Sequence, residues 1–580
     1  MDMKKIILSA IILLCGVCTL TAQDFALGAD MGWNTEMESK GMKWYNWAGQ
    51  ERESTALMKE LGMNAVRIRV WVNPEKHGNW CSKDDALEKA KRAKALGMDV
   101  MIDFHYSDWW ADPAKQNIPA AWEKMNYRKM REALAAHTVE VLTLLKENDI
   151  TPKWVQVGNE TTNGLLWSVE MDPVTGWEKK DENGNTTIVK AMGHVEQNPK
   201  QYGGFIGAGY DAVKSVFPEA IVIIHLDNGF DNALYNRNLD IVKENGGKWD
   251  MIGMSLYPYW SIQSGKEDNA AVTINDCVKN IRKVSKKYGC DVMIVETGFE
   301  VDMDNPWKMH QGRADYAELI RRMKEDTDGK CRGVFYWEPE CRPSQYKLGA
   351  FDEQGHPTDI MRGLVGIENG KLNVRGYDRK VLCLQTSLGD IYVELYNETP
   401  KHRDNFLRLA KNGDLEGILF HRVIENFMIQ SGDPESKEAQ KTIEDNPAPP
   451  LGDGCVLTED GKDTISAEII YPRFLHKRGA LCAAREPDTD NPSFASSSSH
   501  FYIVWGKYPV NSGRAPYQPV SEYYKDYNRA GTPWLDGGYT VFGEVISGLD
   551  VVDRIQRSLT DKYDRPLRDV RIIRVTEVED

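Results

Sequence analysis

The chain has 580 residues, which is too long for one hydrophobic core, so the sequence predicts two or more domains. Its formal net charge of −15 and the lack of a basic stripe argue against a nucleic-acid partner. The 17 Trp and 24 Tyr residues suit a cleft that stacks sugar rings, although tryptophan also fills protein cores.

The N-terminus has the three parts of an export signal. Lys4 and Lys5 precede an apolar run at residues 6–14, and the small-residue segment TLTAQ follows it. We therefore expect a signal peptide over residues 1–22, cleaved after Ala22, and a periplasmic or extracellular protein. The run is too short for a membrane span and no later uncharged segment reaches that length; the alternative is an N-terminal anchor.

Residues 23–365 alternate between strand and helix patterns. Helical patterns such as ALEKAKRAKALGM separate the apolar segments, and this alternation predicts a parallel sheet. Eight repeats over this length predict a (β/α)8 TIM barrel; an open doubly wound sheet is the alternative, but no glycine-rich phosphate loop follows the first strand. The eight strand candidates are FALGADMGW, AVRIRVWV, DVMIDFHYS, KWVQVGNE, AIVIIHLDNG, DMIGMSLYPYW, DVMIVETGF and GVFYWEPE.

A second domain is predicted over residues 379–580, after a glycine-containing linker at 366–378. Its segments KVLCLQTSLGDIYVELY, GILFHRVIENFMIQSGD, HFYIVWG and YTVFGEVI are short strands with turn residues between them, which is typical of an all-β antiparallel domain. The polar stretches 434–478 and 507–533 are expected to be long surface loops.

Polar residues cluster at the carboxyl ends of the barrel strands, where the chemistry of a TIM barrel takes place. Such a ring predicts a polar, aromatic cleft around the barrel axis, and its members are candidates for catalysis and substrate binding. In chain order they are Asp30, Arg67, Arg69, Asp103, His105, Asn159, Glu160, His225, Asp227, Asn228, Tyr257, Glu296, Trp337 and Glu338.

Two of these acids, Glu160 and Glu296, end the fourth and seventh strands, which face each other across a barrel mouth. Hydrolysis of a glycosidic bond needs one carboxyl group to protonate the leaving oxygen and a second to attack the anomeric carbon or activate water. A separation of about 5 Å fits the retaining reaction. The strand-end acids Glu338 and Glu340 are the rivals for these roles.

Side chains beside the pair suit supporting roles. Arg67 and His105 are expected to keep the second carboxylate ionised, because an adjacent cation lowers a carboxyl pKa. Arg69 is expected to neutralise Asp103 in the barrel interior. The remaining expectations are that Asn159 hydrogen-bonds a sugar 2-hydroxyl, Tyr257 orients the carboxylate, Trp337 stacks on the sugar, and Trp109 and Trp110 line outer subsites or pack.

The segments GADMGW, GMNAVRIRVWVNP, DFHYSDWWADPAKQ, VQVGNET, HLDNG and VETGF resemble glycoside hydrolase family 53, the endo-β-1,4-galactanases. The resemblance covers nearly all of residues 25–364 and implies a retaining (β/α)8 barrel. It implies Glu160 as the acid/base, Glu296 as the nucleophile and β-1,4-galactan of pectic arabinogalactan as the substrate. Calcium occurs in a late loop of some members; the acidic stretch FEVDMDNPW offers oxygen ligands, and no metal site is assigned to it.

The second domain carries residues suited to rotating a prolyl peptide bond. That reaction needs an apolar proline pocket and a donor that stabilises the prolyl nitrogen as amide resonance is lost, against an uncatalysed barrier of roughly 20 kcal/mol. The segment FHRVIENFMIQSGDP supplies an arginine beside phenylalanine and methionine.

This segment, with RGALCAAR, SSSSHFYIVWG and WLDGGYTVFGEVISGLDVVDRI, is similar to cyclophilin-type peptidyl-prolyl isomerases over about 379–580. The resemblance implies a closed eight-stranded antiparallel barrel with two helices and Arg422 as the catalytic arginine. Tyr502, Tyr539 and His500 depart from the usual Phe, His and Gln. The implied pocket positions are Phe427, Met428, Gln430, Ala484, Tyr502, Trp534 and Leu535.

The sequence therefore predicts an exported bifunctional protein that hydrolyses β-1,4-galactan and isomerises proline-containing peptides. Neither chemistry requires a cofactor, and the eight cysteines beyond Ala22 lack zinc-motif spacing. Cys331 and Cys341 either bridge a loop or remain free buried thiols. The alternatives are a barrel that cuts or only binds another β-glycan, and a C-terminal domain that only binds peptides or aids folding.

Overall fold

The structure is a computed structural model that describes residues 25–172, 178–182, 184, 186–506, 524 and 529–579. The predicted signal peptide, residues 1–22, lies outside these ranges. Within them, no helix combines the length and the apolar character that crossing a membrane demands.

Eight parallel strands, β1 to β8, form a closed barrel in which each strand pairs with its neighbours in sequence and β1 pairs with β8. The predicted parallel barrel is confirmed. Each strand is a short apolar run buried on both faces, as expected of a parallel sheet covered by helices. The strands are Ala26–Asp30, Ala65–Val70, Asp99–Phe104, Trp154–Val157, Ile221–Leu226, Met251–Ser255, Asp291–Thr297 and Cys331–Trp337.

Among the described residues of the first domain, nine α-helices, α1 to α9, lie between or beside these strands. Their ends follow sequence signals: the Ser82 hydroxyl accepts a hydrogen bond from the backbone N–H of Asp85 and caps α3, and Gly289 ends α8 at φ +71°. The helices are Asn34–Ser39, Ser54–Glu60, Lys83–Ala95, Tyr127–Glu147, Pro199–Val216, Asn232–Glu244, Pro258–Gln263, Ala270–Tyr288 and Pro306–Glu325.

Apolar side chains fill the amino-terminal part of the barrel interior. Trp154, Met101 and Phe335 meet there in one buried cluster, and the Trp154 and Phe335 rings make an edge contact at 6.1 Å. Deleting a ring of this size from a packed core costs about 3–5 kcal/mol. Apolar side chains thus fill the amino-terminal part of the barrel, and the polar strand ends lie at the opposite, carboxyl-terminal mouth.

The second domain is a curled antiparallel sheet of eight strands, β9 to β16, in the order β11-β12-β14-β13-β15-β10-β9-β16. The predicted closed barrel is not confirmed: the end strands β11 and β16 share no ladder among the described residues, and an isolated Leu419–Arg571 bridge links the segments before them. Two helices, α10 (Pro400–Asn412) and α11 (Leu549–Gln556), accompany the sheet. The strands are Lys380–Thr386, Gly389–Leu395, Arg422–Ile424, Met428–Ser431, Ala480–Ala483, Phe501–Val504, Val541–Ser547 and Ile572–Glu577.

The segments predicted as linker and surface loops are more ordered than expected. Residues 366–378 contain a hairpin of Ile367–Glu368 and Lys371–Leu372, and Val374 is buried. The stretch 434–478 buries Phe474, Leu475, His476 and Lys477, so the expectation of a purely surface loop is wrong there. Its polar composition conceals this packing, because a few buried residues among many polar ones leave no periodic pattern. Most of 507–533 lies outside the described residues.

Candidate active site

Glu160 and Glu296 lie together at the barrel mouth, just after β4 and within the end of β7. A carboxylate oxygen from each, together with a ring nitrogen of His225, lies within 4.8 Å of the others. The acids that follow or end strands four and seven are thus brought together across the mouth. The three groups have metal-ligating atoms, but both His225 nitrogens already have protein partners: the Glu160 backbone N–H at 3.2 Å and Ser255 Oγ at 2.8 Å.

The backbone of Glu160 is left-handed, with φ 44° and ψ 53°. This conformation is uncommon for a residue with a side chain and costs of order 1–3 kcal/mol. Its N–H donates to Nδ1 of His225, and the preceding Gly158 donates to the Phe104 carbonyl at 3.0 Å. The fixed turn at the end of β4 directs the Glu160 carboxyl group toward the barrel axis.

Ser255, which the sequence analysis missed, contacts both acids. Its hydroxyl lies 2.6 Å from Oε1 of Glu160 and 3.4 Å from Oε2 of Glu296. The register of β6 against β7 shifts between Met254 and Ser255, which indicates a bulge at this point. A serine that ends an apolar strand looks unremarkable in sequence, and only the barrel closure shows its role.

Burial raises the pKa of both catalytic candidates. For Glu160, burial and then the Glu296 charge raise the pKa well above its ordinary value. For Glu296, burial raises the pKa to about 7, although the Arg67 guanidinium at 2.8 Å opposes this. The Arg67 guanidinium beside Glu296 favours ionisation of that carboxyl group, so Glu160 is the candidate proton donor of the coupled pair.

Arg67 is the centre of the polar network beneath the pair. It is fully buried and contacts Asp30, Asp103 at 2.9 Å and Glu296 at 2.8 Å. Its Nη2 donates to Oδ1 of Asn159 at 2.8 Å. Burial lowers the pKa of Arg67, but the three surrounding acids raise it above its usual range, so the guanidinium stays charged.

Three expectations about this network need correction. Asp30 is fully buried against Arg67, so it positions that arginine and does not face the cleft. His105 contacts Asp103 at 3.0 Å and the Ala111 N–H at 3.2 Å instead of acting on Glu296. Asp103 is neutralised by Arg67, not by Arg69, because Arg69 lies two residues further along β2 and pairs with Glu338, just after β8.

The other predicted barrel residues lie around the carboxyl pair. The Tyr257 hydroxyl donates to Oε2 of Glu296 at 3.0 Å, as expected. Asp227 accepts hydrogen bonds from Thr162 and Asn228 at the end of β5, and His225 is fully buried. Trp337 is half-buried at the end of β8 and leaves part of its ring at the cleft.

Arg69 supports a group of tryptophans on one side of the mouth. Its guanidinium carbon lies 4.1 Å from the ring centre of Trp110, 5.3 Å from Trp71 and 5.9 Å from Trp33. Its Nη1 donates to Glu338 at 3.0 Å, while Nε and Nη2 meet no oxygen or nitrogen acceptor among the described residues. The arginine therefore stabilises the aromatic group through its charged face.

An open cavity of about 370 Å³ extends from this group. Trp109 is 37% exposed and stacks on His77 with ring centres 3.6 Å apart. The lining has the mixture of flat rings and polar groups that suits a carbohydrate. Its residues are His77, Ser107, Trp109, Trp110, Lys115, Asn117 and Met171.

The rival acids Glu338 and Glu340 are fully buried behind the cleft. Glu338 is held by Arg69 and by the backbone N–H of Trp33 at 3.0 Å. Burial raises the pKa of Glu338 to about 7 and that of Glu340 well above its ordinary value. Their place behind the tryptophans removes them as partners for a substrate.

The acidic stretch 299–307 does not assemble a cation site within the described residues. Glu300 pairs with Lys347 at 2.9 Å, and Asp302 lies 3.4 Å from Lys308. Lysine ammonium groups thus balance the charge of both carboxylates.

In the second domain, Arg422 lies on the exposed end strand β11. Its Nη1 is 3.4 Å from Oε1 of Gln430, and its Nε is 3.5 Å from a carboxylate oxygen of Asp564. The Phe427 and Trp534 rings lie 5.8 Å apart. One apolar cluster contains Phe427, Met428, Ala484, Tyr502 and Leu535, so the structure brings the predicted pocket residues together.

The three departures have structural partners. The Tyr502 hydroxyl lies 3.1 Å from Nε2 of His476, whose Nδ1 contacts Asp536 at 2.9 Å. Tyr539 lies under Arg485 at 4.3 Å. His500 contacts the Gly454 carbonyl at 2.6 Å. Tyr502 thus has a buried partner for its hydroxyl, which a phenylalanine at the pocket floor would not need.

A serine–histidine–glutamate arrangement elsewhere in this domain is structural. His402 contacts Ser496 Oγ at 2.9 Å and Glu468 at 2.7 Å, and Glu468 also accepts from the first backbone N–H groups of α10. Ser496 is 1% exposed, so no substrate reaches its hydroxyl. The three residues fasten the 434–478 stretch to α10.

The first domain is a glycoside hydrolase by its parallel (β/α)8 barrel, its two glutamates across the mouth and its aromatic cleft. The second domain is cyclophilin-like, because its sheet carries Arg422 beside an apolar pocket. Residues 26–377 match the family model of glycosyl hydrolase family 53, and the chain belongs to that family. Residues 381–577 match the model of cyclophilin type peptidyl-prolyl cis-trans isomerases. The chain is thus an enzyme that joins these two families.

Curated relatives agree with the first assignment, and a solved structure is similar in sequence. The chain is 32% identical over 330 residues to the protein named "Probable arabinogalactan endo-beta-1,4-galactanase A" of Aspergillus terreus, covering 54% of this chain and 84% of the relative. It is 28% identical to the endo-beta-1,4-galactanase of Bacillus subtilis, covering 55% of this chain and 71% of the relative. The Ignisphaera aggregans GH53 catalytic domain is 27% identical, with a TM-score of 0.49, and the match covers 60% of this chain and 97% of that one.

Proposed function

We propose that the barrel is a retaining endo-β-1,4-galactanase that acts on the galactan of pectic arabinogalactan. The observation that carries the proposal is the Glu160–Glu296 pair, whose carboxylate oxygens lie within 4.8 Å of each other. Carboxyl groups about 5 Å apart leave room for a covalent glycosyl-enzyme but not for an attacking water between acid and base. The relatives named as galactanases support the choice of glycan.

In this mechanism, Glu296 attacks the anomeric carbon while Glu160 donates its proton to the leaving oxygen. Tyr257 and Arg67 hold the attacking carboxylate. Water then releases the sugar from Glu296, and Glu160 takes the proton of that water. The raised pKa of Glu160 suits the donor role. The Arg67 guanidinium opposes the rise in the pKa of Glu296, which suits the nucleophile.

The test is the release of reducing sugar from linear β-1,4-galactan. We expect Glu160→Gln and Glu296→Gln to lose at least 1,000-fold in kcat, roughly what removal of a covalent-catalysis residue costs. Glu196→Gln is the control, since this acid is 67% exposed and pairs only with Arg237 among the described residues. Release from another β-glycan and not from galactan would keep the mechanism and change the substrate; no release from any glycan would leave a binding barrel.

We propose that the second domain isomerises prolyl peptide bonds, with Arg422 stabilising the prolyl nitrogen beside the pocket of Phe427 and Met428. Arg422→Ala is expected to lower kcat/KM on a proline tetrapeptide at least 100-fold, whereas Arg554→Ala, an exposed arginine on α11, leaves it unchanged. Peptide binding without isomerisation by the parent would mark the domain as a binding module or folding aid.

We further propose that the protein is exported, because residues 1–22 have the composition of a signal peptide. Mass spectrometry of the mature N-terminus, in a host that secretes proteins, tests this: a chain starting at Gln23 supports export, and an intact Met1 contradicts it.

A further inference from the structure

The two domains meet through buried charges. Arg313 on α9 of the barrel contacts Glu394 of β10 at 2.8 Å and Glu544 of β15 at 2.9 Å. The Arg313 side chain is 5% exposed, and these two glutamates are register partners on adjacent strands. Among the described residues, its ion-pair partners within 4 Å are these two glutamates of the second domain.

Further cations complete the same network. Arg379 contacts Glu394 at 2.7 Å, and Lys477 contacts Glu544 at 2.5 Å. Asp359 of the barrel lies 3.7 Å from Arg379, across the domain boundary. Breaking one partner out of such a buried network leaves an unpaired charge, which is strongly unfavourable.

Apolar contacts surround these charges. His310 of α9 lies edge-on to Phe474 at 5.7 Å and to Tyr396 at 6.3 Å, and the latter two rings stack at 4.1 Å. The same helix carries Asp315, which pairs with Arg529 of the second domain. Phe474, Lys477 and Arg529 belong to the two polar stretches that sequence alone placed at the surface.

We propose that Phe474, Lys477 and Arg529, with Glu394 and Glu544, form a docking surface that fixes the isomerase domain on α9, so that the domains stay together without the covalent connection between them. The partner of this surface is the barrel of the same chain. The isomerase groove is therefore presented at one fixed place on the glycanase and is not carried on a flexible tether.

The test cuts the full-length chain at one place. A protease site inserted between Asn369 and Gly370, at the exposed tip of the 366–378 hairpin, lets the folded protein be cleaved after purification. We expect the two pieces to co-sediment as a 1:1 complex at micromolar concentration and physiological salt. Separation of two folded pieces under these conditions would overturn the proposal.

Variants of the cleaved protein identify the contacts that hold it. Glu394→Gln with Glu544→Gln is expected to raise the dissociation constant of the two pieces at least 100-fold. Glu577→Gln, a 50% exposed acid that pairs with Lys380 inside the second domain, is the matched control. If the double variant fails to fold, sedimentation of the unsubstituted cleaved chain still tests the proposal. Unchanged affinity in a folded double variant would contradict the role of these glutamates.

Discussion

The Ser255 hydroxyl lies 2.6 Å from Oε1 of Glu160, the shortest of its contacts at the barrel mouth. This hydrogen bond stabilises the ionised form of Glu160 and lowers its pKa against the larger effect of burial. Ser255→Ala is therefore expected to move the alkaline limb of the pH–activity profile to higher pH and to lower kcat about 10-fold. Ser255→Thr, which keeps a hydroxyl, is the control, and an unchanged alkaline limb in Ser255→Ala would contradict this role.

The dependence of galactan hydrolysis on pH follows from the two carboxyl groups. In the proposed mechanism, activity requires Glu296 ionised and Glu160 protonated, and burial raises the pKa of Glu296 to about 7. We expect kcat/KM to rise through pH 7 and to fall at higher pH as Glu160 loses its proton. Because the two carboxyl groups interact, the pKa values of both limbs describe the pair and not either residue alone. Initial rates on soluble galactan from pH 4 to 10 measure this. Full activity at pH 5 would show that Glu296 ionises at its ordinary pKa.

Replacing Glu160 should stabilise the protein while it abolishes hydrolysis. The pKa of Glu160 is higher in the folded protein than in the unfolded chain, so the folded state loses stability as pH rises from about 4.3 toward that raised pKa. The glutamine of Glu160→Gln does not titrate, so this variant does not lose stability in this way as the pH rises. Its Tm should match the parent near pH 4 and exceed it by roughly 1–4 °C at pH 8. Calorimetry at both pH values tests this, and an equal difference at both would refute the assignment.

Arg69 should affect binding of the sugar chain more than the chemical step. Its guanidinium lies beneath three tryptophans, and among the described residues it forms no ion pair or hydrogen bond with Glu160 or Glu296. Arg69→Met is expected to raise KM for galactan about 10-fold and to change kcat less than 3-fold, since a cation–π contact is worth about 0.5–2 kcal/mol.

The near-ultraviolet circular dichroism of the tryptophans should change in Arg69→Met as well. Arg321→Lys, at a 42% exposed position on α9, is the control. A fall in kcat at constant KM and an unchanged tryptophan signal would instead place Arg69 in the catalytic step.

Sequence patterns predicted the parts of the barrel that repeat. The run ending at Val157 and the one ending at Thr297 are apolar, β-branched and bounded by polar residues, so their strand character and their facing acids followed from local pattern and barrel closure. Strand number and order are periodic properties of this kind.

Such patterns do not predict contacts that depend on the direction of a side chain. Arg67 and Arg69 are the same residue type, two positions apart on one face of β2. The sequence therefore does not show which of them pairs with Asp103, and the structure shows that Arg67 does. Ser255 is separated from Glu160 by 95 residues, and no local signal links them. The role of Phe474 between the domains likewise needs the position of α9 before it can be stated.

The eight cysteines of the described chain are all free thiols, including the Cys331 and Cys341 for which a bridge was one alternative. Burial raises the pKa of Cys277, Cys341 and Cys482 well above its ordinary value, which suppresses the reactive thiolate. These three thiols should therefore stay unlabelled by an alkylating reagent in the folded protein and react only after the chain unfolds.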